Sequence, residues 1–78
     1  MNKNKISVLG GGSWGTVLAY LASLNQNEVT LWMRDEEVVR EINYNNINSK
    51  YLPNLNLGSN LIATSKIEDI SDSGIIIF

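Results

Sequence analysis

Six consecutive residues near the start of the chain, Gly10-Gly11-Gly12-Ser13-Trp14-Gly15, are the ones whose types and spacing suggest chemistry. They match G-x-G-x-x-G. In that pattern the first glycine permits a tight turn, the second lets the backbone approach a pyrophosphate without a Cβ in the way, and the third allows a helix to pack closely on a strand. A helix beginning there aims unpaired N–H groups and the positive end of its dipole at the loop, so a diphosphate is held without any lysine. The Ser13 hydroxyl adds a donor. The implied ligand is a dinucleotide, NADP or NAD. A glycine-rich turn with no ligand is the plainer reading, and the strand and helix flanking the motif weigh against it.

Arg34 follows about 20 residues beyond the motif, where an acidic residue accepts from the ribose 2′-OH of NAD and an arginine meets the 2′-phosphate of NADP. Arg34 therefore leans toward NADP. Asp35 could take the NAD role, but its place before Glu36-Glu37-Val38 fits an N-cap with an acidic first turn better. Trp14 either lines the site or packs as core, with nothing to separate the two. Glu36 and Glu37, and the group Glu68, Asp69 and Asp72, read as solvated surface rather than acid–base or metal sites. The chain has no cysteine and no histidine, which removes thiolate nucleophiles, imidazole bases, disulfides and the commonest zinc ligands. No catalytic residue and no metal ligand are assigned.

The elements that must position these residues alternate. Lys5–Leu9 is a short β-branched run ended by glycines, as in a buried parallel strand. From Ser13 to about Asn25, Trp14, Val17, Leu18, Leu21 and Leu24 fall at helical spacing, which predicts an amphipathic helix packing this face on a sheet. Glu28–Met33 predicts a second strand. A second helix, with Val38, Val39 and Ile42 inward, should fade in the Asn-rich stretch 43–48. Residues 51–58 read as a loop around Pro53, Leu61–Thr64 as a third strand, Ile67–Ile70 as a helical turn and Gly74–Phe78 as a fourth, wholly apolar strand. The order β-α-β-α-β-α-β predicts an α/β, truncated Rossmann, doubly wound parallel sheet of about four strands in spatial order 3-2-1-4. The fourth strand would leave an apolar edge unpaired, so the expectation is a fragment of a longer protein that associates on its own.

Composition narrows the partners. Six basic residues are scattered among eight acidic ones, net −2, so no basic face collects a polynucleotide. No run approaches the ~20 apolar residues that span a bilayer, and the apolar stretch after the basic N-terminus is too short for a signal peptide. The expectation is a cytoplasmic protein with no nucleic-acid partner and no membrane insertion.

With loop and second strand placed, Gly10-x-Gly12-Ser13-Trp14-Gly15-Thr16-x-Leu18-Ala19, Leu31-Trp32-x-Arg34 and Asn48-x-x-Tyr51-Leu52-Pro53 closely resemble the bacterial NAD(P)-dependent sn-glycerol-3-phosphate dehydrogenases. The resemblance runs from Lys5 to Phe78 and corresponds to the opening portion of such an enzyme. It departs at Gly58 and Ser59, where family members often carry a proline turn. It implies hydride transfer between NAD(P) and the pair glycerol 3-phosphate and dihydroxyacetone phosphate, a small phosphate substrate, a role in phospholipid precursor synthesis, and a homodimer for the parent. By motif position it implies that Ser13 and Trp14 contact the cofactor phosphates, Arg34 the adenosine ribose-phosphate end, and that Tyr51 lies near the cofactor. The family's catalytic lysine and substrate-binding residues come from later segments. Residues 1–78 are thus expected to be the N-terminal part of a NAD(P)-binding Rossmann domain, inactive alone, with the catalytic C-terminal domain outside the chain. A non-catalytic dinucleotide-sensing module and the N-terminal part of a different NAD(P)-dependent dehydrogenase are the alternatives.

Overall fold

The first strand, β1, is Lys5–Leu9, and the glycine loop after it leads into helix α1, Ser13–Ser23. Strand β2 (Glu28–Trp32), helix α2 (Glu36–Asn45), strand β3 (Leu61–Thr64), a 3₁₀ turn (Ile67–Asp69) and strand β4 (Gly74–Ile77) follow in the computed structural model. It describes residues 5–10, 12–25, 27–70 and 74–77, the last group as backbone only. Met1 to Asn4, Gly11, Asp72 and Phe78 lie outside the described residues, and with them the readings of the N-terminus, of Asp72 as surface and of the apolar end of the last strand. The four strands form one parallel sheet in the order β3-β2-β1-β4, as the alternation of elements predicts.

Register sorts the side chains into two faces. Val8 pairs with Leu31 and Leu31 with Ala63, while Val29 pairs with Leu61. These residues form the core together with Ala19 of α1 and Val38 and Ile42 of α2, so both helices cover the same face. Leu31, Ile42 and Leu57 are withdrawn from water almost completely, worth about 1.5–3 kcal/mol each. Leu57 belongs to the loop read only as a turn region around Pro53. The opposite face carries Ser7, Thr30 and Ile62 in one row, and Ile62 is exposed.

The face that α1 turns to the sheet is not the predicted one. Gly15, Thr16, Ala19 and Ser23 are buried, whereas Trp14, Leu21 and Leu24 are exposed and Val17 and Leu18 only half-buried. Close approach decides it. A Cβ built on Gly15 would stand 1.6 Å from the Gly10 carbonyl oxygen, so the helix crosses β1 almost backbone to backbone. Only the small residues 15, 19 and 23, four apart on one face, fit that spacing.

Helix α2 presents Val38 and Ile42 inward, with Val39 partly buried against the core. It ends at Asn45, and Asn46 closes it in the left-handed conformation, φ 60°, where Asn is tolerated best among non-glycine residues. Asn43 has a further duty. Its side-chain amide donates to the Ala63 carbonyl at 2.9 Å and accepts from the Ala63 N–H at 2.8 Å, satisfying part of the outer edge of β3 that would otherwise be open to pairing.

The contact of Gly15 with Gly10 yields a direct test. Gly15→Ala must push the helix off the strand, so chemical denaturation is expected to show a loss of about 3 kcal/mol, the upper end of overpacking costs and a large share of the stability of a domain this small. A variant as stable as the parent would contradict the backbone-to-backbone crossing.

Candidate functional site

Gly10 turns the chain out of β1 with φ 127°, a conformation essentially reserved for glycine, and its N–H donates to the Trp32 carbonyl at 3.0 Å. That bond ties the loop to the carboxyl end of β2. Gly12 is the N-cap of α1, with φ −74° and ψ −167° and no side-chain cap. Its conformation is open to any residue, and a Cβ placed there meets nothing within 4 Å. Neither backbone strain nor packing among the described residues therefore requires a glycine at position 12. The first turn of α1 holds no acidic residue, so its leading N–H groups face the loop without a carboxylate.

A cleft of about 290 Å³ opens where this loop meets the end of β2, lined by Gly10, Gly12, Trp32, Met33, Arg34, Asp35, Val38 and Tyr51. It lies at the carboxyl ends of β1 and β2, where open α/β sheets bind ligands. A hollow of about 420 Å³ at the opposite ends of the strands, bounded by Lys5, Glu28 and Asn60, has neither a glycine loop nor a helix N-terminus. The indole N–H of Trp32, a residue that also lines the cleft, is buried without a hydrogen-bond partner among the described residues, a desolvation that costs about 1–3 kcal/mol.

Asp35 caps α2. One carboxylate oxygen accepts from the N–H of Glu37 at 3.0 Å and of Val38 at 3.4 Å, and the other pairs with Lys50 Nζ at 3.4 Å. The Val38 amide above all, then the Glu37 amide and the Lys50 ammonium, hold its carboxyl below the ordinary value. Glu41 is lowered likewise by Ser49, through its hydroxyl first and then its backbone N–H, which donates at 2.8 Å.

The loop carrying Tyr51 is fixed from beneath. Asn48, wholly buried, donates from its side chain to the Thr16 hydroxyl at 3.0 Å and accepts from the Tyr51 N–H at 3.4 Å. Its carbonyl accepts from the Leu52 N–H at 2.7 Å. One side chain thus joins the first turns of α1 to the cleft wall.

Residues 5–78 match the family model described as NAD-dependent glycerol-3-phosphate dehydrogenase N-terminus. The chain belongs to this family. It is 50% identical over 78 residues to the glycerol-3-phosphate dehydrogenase [NAD(P)+] of Rickettsia felis, covering 99% of this chain and 24% of that one. It is 54% identical over 63 residues to the enzyme of that name from Leuconostoc mesenteroides, covering 81% of this chain and 19% of that one. Among solved structures, the glycerol-3-phosphate dehydrogenase of Coxiella burnetii superposes with a TM-score of 0.85 at 32% identity, over 96% of this chain and 24% of that one. The chain therefore spans about a fifth to a quarter of the length of these relatives.

Of the residues singled out from the sequence, Gly10, Gly12, Arg34 and Tyr51 line one cleft. Gly15 lies beneath the loop and is buried. Ser13 and Trp14 open α1 beside the cleft without lining it, and Trp14, 66% exposed, is not core. Asp35 is the N-cap that its sequence context suggested. Sequence reasoning did not find Lys50 as its ion-pair partner. It also missed Asn48 as the anchor, although Asn48 stands in the quoted Asn-x-x-Tyr-Leu-Pro pattern. No group of three or more acidic, histidine or cysteine residues able to hold a metal occurs among the described residues.

The capping carboxylates carry a pH dependence. Because folding lowers their values, Asp35 and Glu41 stabilise the fold fully above the ordinary carboxylate range, and the contribution is lost as pH falls through the lowered folded values, below about pH 4. The urea midpoint is expected to drop between pH 6 and pH 3 by less in Asp35→Asn, which keeps a capping side chain but no titrating group, than in the parent. Superimposable pH profiles would contradict it.

Proposed function

We propose that this chain binds NADP or NAD as the cofactor-holding part of a glycerol-3-phosphate dehydrogenase. The observation that carries the reading is Gly12. Nothing among the described residues needs a glycine there, so what the absent Cβ provides is close approach from outside, in front of a helix N-terminus without a side-chain cap. A pyrophosphate is the group that such a cradle suits.

In this reading the pyrophosphate sits over Gly10 and Gly12, with the leading amides of α1 and the Ser13 hydroxyl as donors. Trp14, at the mouth of the loop, flanks the phosphates. Arg34 receives the 2′-phosphate of the adenosine ribose, and Tyr51 walls that end of the cleft. At about 290 Å³, near the lower bound of ligand pockets at about 300 Å³, the cleft suits one nucleotide half rather than a whole dinucleotide. The bound nicotinamide supplies the hydride chemistry linking glycerol 3-phosphate and dihydroxyacetone phosphate. The residues of this chain bind and orient.

The small phosphate substrate, the homodimer of the parent, the cytoplasmic setting and the supply of phospholipid precursors belong to the same reading, supported by family membership. Consistent with it, no helix among the described residues is long and apolar enough to cross a membrane. Residues 1–78 are read as the N-terminal part of the dinucleotide-binding domain, since the relatives are several times longer.

Calorimetric titration of the 78-residue chain with NADPH and NADH tests the proposal. Gly12→Val is expected to fold normally and to weaken both nucleotides by at least about tenfold, equivalent to 1.4 kcal/mol. Arg34→Ala is expected to weaken NADPH alone, by roughly ten- to a hundredfold for a lost charge-assisted phosphate contact. Folded protein that binds neither nucleotide, or a Gly12→Val variant that binds as the parent does, would refute it.

A further inference from the structure

Two opposite signals stand side by side at the end of β2. Arg34 is exposed and forms no ion pair among the described residues, so its guanidinium is available to an anion. Asp35 lines the same cleft, and a carboxylate beside the ribose 2′ position repels a phosphate there as surely as the arginine attracts it. Which signal prevails depends on how much of the Asp35 charge remains uncompensated.

Compensation comes from a residue distant in sequence. Lys50 Nζ lies 3.4 Å from the Asp35 carboxylate and 5.5 Å from the centroid of the Tyr51 ring. Its backbone is held on both sides, by Ser49 donating to Glu41 and by Tyr51 and Leu52 donating to Asn48. The stem of Lys50 therefore starts from a fixed place beside Asp35. That corner, a groove of about 450 Å³ beside the cleft, also carries Glu37 and Glu41, so among the described residues Lys50 is the one cation lining it with three carboxylates.

We propose that Lys50 sets the NADP-over-NAD preference of the cleft by neutralising Asp35, leaving Arg34 as the effective charge at the ribose 2′ position. Lys50 is a positioning residue that acts through Asp35, whereas Arg34 takes the phosphate. The inference rests on the reading that this chain binds NAD(P). The cap engages one Asp35 oxygen and the lysine the other, so a 2′-phosphate arriving beside Arg34 meets a paired carboxylate rather than a bare one. Both partners are substantially exposed, 57% for the lysine side chain and 43% for the aspartate, which makes the effect modest and dependent on salt.

The test is the ratio of NADPH to NADH affinity, measured by calorimetry on the 78-residue chain at low ionic strength. Lys50→Gln is expected to lower the ratio by roughly two- to fivefold, as an exposed ion pair allows. Lys50→Arg is expected to retain it, and high salt to erase the difference between parent and Lys50→Gln. In an Asp35→Asn background, where the cap survives as an amide, Lys50→Gln is expected to leave the ratio unchanged. A ratio unmoved by Lys50→Gln in protein that binds both nucleotides would overturn the inference alone, as would a fall that persists with Asn at position 35. Absence of saturable binding of either nucleotide to the folded parent chain would overturn the binding reading, and the inference with it.

Discussion

The closeness of Gly15 to the Gly10 carbonyl is the constraint from which the rest of this structure follows. With 1.6 Å between that oxygen and the nearest place a Cβ could stand, α1 sits on β1 at a distance no other residue allows. The helix N-terminus is thereby brought directly over the end of the strand. The small residues of α1 face the sheet because nothing larger fits, and Trp14, Leu21 and Leu24 are left outside. The orientation of the helix dipole toward the loop is thus a consequence of packing, and the anion-binding role proposed for the loop rests on that orientation.

Three glycines of one motif do three different things. Gly10 supplies a backbone angle, Gly15 supplies nearness, and Gly12 supplies open space that no described residue fills. Around them the cleft is completed by polar ties. Asn48 fastens the Tyr51 loop to Thr16, and Asp35 starts α2 beside Arg34. A buried, hydrogen-bonded Asn is costly to strip of its partners, which is how a long loop becomes a fixed wall.

The sheet order, both helices and the cleft-lining places of Gly10, Gly12 and Arg34 were legible from local signals, whereas Tyr51 was legible only through the family resemblance of its Asn-x-x-Tyr-Leu-Pro pattern. Glycines at motif spacing, alternating strand and helix periods, and an acidic N-cap all act within a few residues. The inward face of α1 was not legible from apolar periodicity. Burial there is governed by how near two backbones must come, and the informative stripe was Gly15, Ala19 and Ser23 rather than the leucines. The roles of Asn48, Asn43 and Lys50 were also hidden, since each depends on a partner 15 to 32 residues away that only the fold brings near. Polar residues in an Asn-rich stretch carry no periodic signature of such long-range bonds.

The central claim is one of location: that a dinucleotide meets this chain at the glycine loop and the carboxyl ends of β1 and β2. Amide chemical-shift mapping of the isotope-labelled chain during addition of NADPH measures it most directly. The account predicts saturable shifts at Gly10, Gly12, Ser13, Trp14, Gly15, Arg34 and Tyr51, with Lys5, Glu28 and Asn60 at the far end of the sheet unmoved. Shifts confined to those far-end residues, with the loop silent, would contradict it.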